Sequence, residues 1–286
     1  MKTNTSDSLQ FICEVLDLSR PGYYQWLKRP EKSAGTAALQ FKIIELHKQA
    51  KGRYGVDRIY NGLKNEGETA SRNRVHRQMQ ALGIRGKVKK RFIPKTTINN
   101  SSHSKSPRIF KGSDTPVIRP NEVWVGDITY VHTKEGFLYL AIWLDIFSRM
   151  IVGWSLADHM EESLVSSALK KACLARELKA GDTLTTHTDQ GSQFEAKVYR
   201  KLLKLMSIVQ SMSRKGNCYD NAFAETFFKT LKNELELQVF ESKEQATKHI
   251  FEFIEGWYNT KRIHSSLGFT SPAEYEKMFH ETNQAA

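Results

Sequence analysis

Three apolar, β-branched segments follow one another with almost nothing between them: "EVWVGDITYVH", "FLYLAIWLDI" and "RMIVGWSLA", spanning residues 122–157. The gaps "TKEG" and "FS" suit hairpin turns, so the three segments read as consecutive strands. A helix at about 161–178 follows, with Leu164, Ala168, Leu169, Ala172 and Cys173 on its apolar face. Next come a strand "TLTTHT", a helix at about 194–204, a strand "SIVQSM" and a helix at about 219–235. A last long helix is expected over 242–259, with the remainder irregular. The order β-β-β-α-β-α-β-α predicts an α/β (α+β) fold with a mixed five-stranded sheet and flanking helices.

Three acids stand out on this frame. Asp127 lies within the first strand, Asp189 follows the fourth in "LTTHTDQGSQF", and Glu225 sits on the helix after the fifth; 61 and 35 residues separate them. If the first and fourth strands are neighbours, Asp127 and Asp189 lie side by side, and a helix packed over that edge brings Glu225 to them. Three converging carboxylates repel one another unless a cation joins them. Oxygen ligands suit Mg²⁺, which keeps waters and phosphate oxygens in its shell, with Mn²⁺ as a substitute. Two such ions about 3.5–4 Å apart can activate a nucleophile and stabilise a leaving oxygen. The chemistry implied is in-line attack at a DNA phosphodiester. Taken alone, Asp189 also reads as a helix cap, with Ser192 as another start for the next helix.

The motifs "VWVGDITYV", "LDIFSRMIVGW", "HTDQGSQF", "GNCYDNAFAETFFKTLKNEL" and "YNTKRIHSSLGFTSPAEY" run in order over residues 123–275. In these the chain resembles the OrfB-type DDE transposases of insertion sequence family three, whose core is similar to that of retroviral integrases. Upstream, "YGVDRIYNGLKNEG", "SRNRVHRQMQALGIRGK" and "LDLSRPGYYQWLKR" resemble the helical segments of the same family. The resemblance implies a ribonuclease-H-like core, with Asp127, Asp189 and Glu225 as catalytic metal ligands. It implies 3′-end nicking by water, then strand transfer by the freed hydroxyl. It also implies a partner or fusion upstream, the OrfA segment, which carries a coiled coil. No sustained heptad run is visible, so the chain is expected to be the downstream product, or a fusion trimmed of that part.

Several neighbouring residues have two readings. Glu225 and Lys229 form an i,i+4 pair that is ordinary on an exposed helix. Yet Asn221, Glu225 and Lys232 share one helical stripe, and the family carries a basic residue seven positions after its Glu. Lys232 and Lys229 are therefore expected to contact DNA phosphates. Asn217 and Asn221 read as turn and cap residues, or as contacts to substrate. Asp145 reads as turn-capping or Arg-paired rather than catalytic. His187 faces the same side of its strand as Asp189, either supporting the site or simply packed. Tyr258, Asn259, Arg262 and His264 resemble a family signature in which Arg262 packs against the core's acids or faces DNA. Trp124, Trp143, Trp154 and Trp257 read as core.

Charge divides the chain. Residues 1–120 hold 24 Lys/Arg against 9 Asp/Glu, whereas residues 121–286 hold 19 against 22. Between Glu68 and Asp114 there are twelve basic residues and no acid. Such a block tracks phosphates or is a solvated linker. A turn leading into a helix with Arg72, Arg74 and Arg77 suits a helix-turn-helix, and Lys87, Lys89, Lys90 and Arg91 continue the basic run. The expected parts are an N-terminal helical pair (1–32), a helix-turn-helix-like domain (37–90), a basic linker (91–120), the catalytic core (121–240) and a C-terminal helix and tail packed on it (241–286). No apolar run approaches a membrane span of ~20 residues, no signal-peptide pattern opens the chain, and three scattered cysteines argue against a disulfide framework. The expected setting is the bacterial cytoplasm, on the nucleoid. The expected partner is double-stranded DNA, both terminal inverted repeats and target, bound by a homo-oligomer of at least two copies. The rival readings are a catalytically inactive DNA-binding regulator and a structure-specific nuclease on the same fold.

Overall fold

β1 (Val123–Thr133), β2 (Gly136–Asp145) and β3 (Ile151–Ala157) form the antiparallel meander that their spacing predicts. β4 (Thr185–Thr188) adds parallel to β1, and β5 (Val209–Met212) adds parallel to β4, giving the order β3-β2-β1-β4-β5. The computed structural model describes residues 13, 19–27, 33–87, 106–179, 182–214, 221–235 and 239–284. Two units divide the chain, Met1–Lys87 and Val88–Ala286.

One sheet face is covered by α5 (Glu162–Ala175), the single turn α6 (Ser192–Glu195) and α7 (Lys197–Leu205). Trp124, Trp143, Leu169, Phe194 and Tyr199 form this core, with Trp143 and Tyr199 stacked at 6.3 Å. Two glycines make the packing possible. A Cβ on Gly126 would stand 2.5 Å from the Trp143 ring, and one on Gly153 would stand 2.6 Å from the Ala168 carbonyl oxygen. β1 thus yields its α5-facing side to Trp143 at the position just before Asp127. The helix expected at 194–204 is broken at Ala196, whose ψ of 141° is extended.

Across the sheet lie α8 (Ala222–Glu234), which packs on β1 and β2, and α9 (Lys243–Phe253), which also touches β1. The long terminal helix continues beyond α9 as a π turn, Ile254–Tyr258. The expectation of an irregular tail is corrected: Pro272–Gln284 form α10. Proline at a first helical position has the right φ and no N–H to strand there. α10 docks through Tyr275 and Phe279 on Phe147, and through Glu276 on Arg176.

The upstream unit contains α1 (Arg20–Leu27), α2 (Ser33–Gln49), α3 (Val56–Asn65) and α4 (Arg72–Ala81). Leu39, Ile43, Ile59, Leu63, Val75 and Met79 are buried among the last three. Ser71 caps α4 by accepting the Arg74 N–H at 3.3 Å. Apart from Cys13, the first of the two expected N-terminal helices lies outside the described residues. None of the described helices is long and apolar enough to cross a membrane.

Candidate active site

The β1–β4 register ends at Gly126 opposite Thr188. The next residue on each strand is an acid, Asp127 and Asp189. Neighbouring strands run about 4.8 Å apart, so both carboxyl-bearing residues stand at the same end of the β1–β4 ladder, inside the sheet. Alternation along β1 turns Asp127 away from Trp124 and Trp143, towards the face on which α8 packs. Glu225 lies in the first turn of that helix.

Asp127 is half-buried, and its Oδ1 accepts the Ile128 N–H at 2.8 Å. Burial pushes its carboxyl well above the usual range, and the charges of Asp189 and Glu225 push it further, with Lys232 opposing. Asp189 is open to solvent but hemmed in by protein. That crowding raises its carboxyl, the Gly191 N–H opposes, and the Glu195 charge adds to the rise. Asp189 Oδ1 accepts the Gly191 N–H at 3.0 Å, and α6 has no side-chain cap. The acid therefore shapes its own turn without capping the helix. Glu225 has the Lys229 ammonium 3.7 Å away. Among the described residues, no three acid, histidine or cysteine side chains form a complete ligand set as they stand.

Lys232 lies on the same helix, with its ammonium 4.6 Å from the Tyr130 ring centroid. Burial lowers its pKa and Asp127 raises it. Asn221 occupies the N-cap position of α8 but makes no capping bond; it is 5% exposed and its Oδ1 has no partner among the described residues. Its side chain is thus inside the fold, neither a cap nor a surface contact. Asn217, Lys89, Lys90 and Arg91 lie outside the described residues.

Asp145 is wholly buried and accepts four N–H groups: Asn121 N at 2.7 Å, Phe147 N at 2.8 Å, Trp124 Nε1 at 3.2 Å and Ser148 N at 3.4 Å. It organises the turn after β2. Arg176 acts on it from a distance, being itself clasped by Glu276 at 2.6 Å. His187 is buried, with Nδ1 2.9 Å from Ser211 Oγ and its ring edge-on to Phe110. Ser211 Oγ already accepts the Ile109 and Phe110 N–H groups, so its proton is donated to Nδ1.

The tail signature is a set of stitches. Asn259 pairs with both the N–H and the carbonyl of Ile151, each at 2.9 Å, closing the edge of β3. Arg262 as a DNA contact is corrected: it is 5% exposed, and its Nε donates to Glu234 Oε1 at 2.9 Å. Trp257 Nε1 donates to the other oxygen of Glu234 at 3.0 Å. Trp124, Trp143 and Trp257 are buried, whereas Trp154 is half-buried and donates to Glu255 at 2.7 Å.

In the upstream unit, Arg72 donates to Asp57 at 2.6 Å and Arg74 to the Gly35 carbonyl at 3.2 Å, while Arg77 and Lys87 are exposed. Two residues that the sequence reading passed over bear on the site. Glu195, 1% exposed, adds negative charge near Asp189, and Tyr130 meets Lys232. Their spacings from Asp189 and Asp127 were the sole available hint.

Comparison with known proteins agrees with this anatomy. Residues 118–218 and 206–272 match integrase core domain families, and residues 37–92 match an HTH-like domain. The chain is 42% identical to the transposase for insertion sequence element IS904 of Lactococcus lactis subsp. lactis (strain IL1403), covering 87% of this chain and 98% of that protein. It is 37% identical to the insertion element IS600 uncharacterized 31 kDa protein of Shigella sonnei, over 94% of this chain and 99% of that one. With the transposase InsF for insertion sequence IS3A of Escherichia coli (strain K12) it shares 34% identity over 94% of each. Among solved structures, it is similar to the HTLV-2 integrase catalytic core domain in complex with magnesium, with 18% identity, 56% of this chain and 98% of that chain covered, and a TM-score of 0.43. The chain belongs to the IS3 family of insertion-sequence transposases, DNA-transposing enzymes with an integrase-type core and an HTH-like domain upstream.

Proposed function

We propose that Asp127, Asp189 and Glu225 together hold the divalent ions with which this transposase cuts and joins DNA, with Mg²⁺ as the natural ion and Mn²⁺ as a substitute. The carrying observation is the register: the β1–β4 ladder stops at Gly126 opposite Thr188, so Asp127 and Asp189 follow side by side, and Glu225 lies in the first turn of the helix that packs on β1. The donor set fits: the groups are hard carboxylate oxygens, and like charges crowded at one end of the β1–β4 ladder gain from a cation. When bound, the ions would activate the attacking oxygen and stabilise the leaving one.

The chain's own residues supply the rest. The Ile128 N–H fixes one Asp127 oxygen and leaves the other to bind. Lys232, near Asp127, holds a non-bridging phosphate oxygen, and Lys229 exchanges its Glu225 contact for another. Water attacks first and frees a 3′-hydroxyl at the element end; that hydroxyl then attacks a second phosphodiester. No protein–DNA covalent bond is needed.

In this reading residues 37–90 grip DNA, 121–240 carry the chemistry and 241–286 brace the core, while the stretch expected as a linker, 91–120, is tied to β5 over Ser106–Phe110 and is part of the core there. Arg77 is the readiest phosphate contact on α4. The Arg72–Asp57 pair is exposed on both sides and solvent-screened, so a phosphate can displace Asp57. Two element ends require at least two copies on DNA, with an OrfA product as a further partner.

The test uses a labelled duplex ending in the inverted repeat that flanks the gene. Wild type should give Mg²⁺-dependent nicks and joined strands. Glu225→Gln should lose both by more than about 100-fold, beyond the loss expected for a mere outer partner of a metal ligand. Nicks without joining would favour the nuclease reading. Equal binding without products from either protein would mean a regulator or a core that needs its upstream partner, and adding the OrfA product separates the two: products then appear only for the second.

A further inference from the structure

Beyond β4, β1 runs on as half of a hairpin whose outer surface is aromatic. Tyr130 and Phe137 are 46% and 50% exposed, and His132 between them is exposed as well. The three rings meet edge to face, His132–Phe137 at 4.6 Å, Tyr130–His132 at 5.2 Å and Tyr130–Phe137 at 6.1 Å. Edge-to-face contact sets the edge of one ring on the face of its neighbour, so what the cluster offers to solvent is the half of Tyr130 and of Phe137 that stays exposed.

The hairpin is held firmly. Lys134 N donates to the Phe240 carbonyl at 2.8 Å, and Phe240 N donates to the His132 carbonyl at 2.9 Å. Lys243 N donates to Glu135 Oε2 at 2.8 Å. The rings therefore stand on a fixed base, and a fixed surface loses less entropy on binding. Cross-strand pairing accounts for His132 against Phe137, which are directly opposite. Tyr130 stands opposite Tyr139 in the same register, and its ring also carries the Lys232 ammonium at 4.6 Å, three residues along the strand from Asp127.

An aromatic surface with a cation at its margin matches one ligand chemistry, an unstacked nucleobase with its phosphate alongside. We propose that Tyr130, His132 and Phe137 form a stacking platform for unpaired bases next to the phosphodiester held at Asp127. This rests on the reading of the Asp127 site as the reaction centre. It gives the enzyme a use for frayed DNA: bases that leave the duplex near the cut are held by the hairpin.

The full chain would be titrated with a blunt duplex and with a forked duplex carrying 2-aminopurine in its unpaired arm. Wild type should bind the fork about tenfold more tightly, with stacking of the reporter seen as quenched fluorescence. The double variant His132→Val/Phe137→Val, which keeps strand-forming residues and leaves Tyr130 under Lys232, should lose both the preference and the quenching while binding the blunt duplex as before. A retained preference in the folded double variant overturns the platform. So does a changed oligomeric state with the preference intact, which would make the patch a protein contact. If the double variant fails to fold, Tyr130→Leu and Tyr130→Trp decide: Leu should lose the preference and Trp keep it, and equal behaviour overturns the proposal. Nicking activity of Asp127→Asn is scored separately. If that variant still nicks, the reaction-centre reading fails, whatever the fork shows.

Discussion

The two ends of α8 carry glutamates in opposite circumstances. At the far end Glu234 is 9% exposed and fully engaged, one oxygen taken by Arg262 and the other by Trp257. At the near end Glu225 has one loose lysine contact at 3.7 Å, and its charge bears on Asp127. Asp145 and Asp127 repeat the contrast on the sheet: four N–H donors surround the first, whereas one N–H and two acids surround the second. Acids that hold the fold are given donors. Acids set against one another are a destabilising arrangement that a bound cation reverses.

Breaking the satisfied end should have the largest effect on stability. Arg262→Ala leaves Glu234 buried without its cation, and urea unfolding should show a loss of about 3–5 kcal/mol. Replacing both partners by apolar residues of similar volume should cost much less. A loss below about 1 kcal/mol for Arg262→Ala, the range of an exposed pair, would mean that this seam is not a buried one.

A smaller, pH-dependent effect is expected at Asp145. Burial pushes its carboxyl up to about 6, Glu276 raising it and Arg176 and the N–H donors holding it down. With the folded value above the ordinary 3.8, the stability contribution is full at low pH. It is lost as pH rises from about 4 through 6, by about 3 kcal/mol in total. Asp127 acts in the same direction, so the measurable quantity is the difference in pH slope between wild type and Asp145→Asn. Equal slopes would place the Asp145 carboxyl at its ordinary value.

The mildest change concerns the upstream unit. Arg77→Ala should weaken DNA binding uniformly across sequences and reduce the salt slope by about 1, as for one phosphate contact. A sequence-selective loss would instead make Arg77 a base contact.

The sequence exposed the features that repeat along the chain and hid those that depend on what meets across it. Strand patterning in 122–157 marked the meander, and Asp127 within the first strand and Asp189 just past the fourth anticipated the point where the β1–β4 ladder stops. For Arg262 both a DNA-facing role and packing against the core's acids were open, because nothing local shows that Glu234, 28 residues earlier, will enclose it. α10 was missed because its apolar contacts are with Phe147, more than a hundred residues away. The break at Ala196 and the π turn after α9 change pitch without changing the apolar pattern. Nothing in the strand pattern marks Tyr130, because the Lys232 ammonium over its ring comes from a helix about a hundred residues later.

Thermal unfolding of wild type and Asp127→Asn, with and without Mg²⁺, tests the central claim that the three acids are a cation site. Without the ion, Asp127→Asn should be at least as stable as wild type, because a repelling charge is gone. Added Mg²⁺ should raise the Tm of wild type through binding to the folded state and leave the variant nearly unmoved. A variant that is less stable without the ion and responds to Mg²⁺ as wild type does would contradict the claim, and would put Asp127 among the acids that hold the fold.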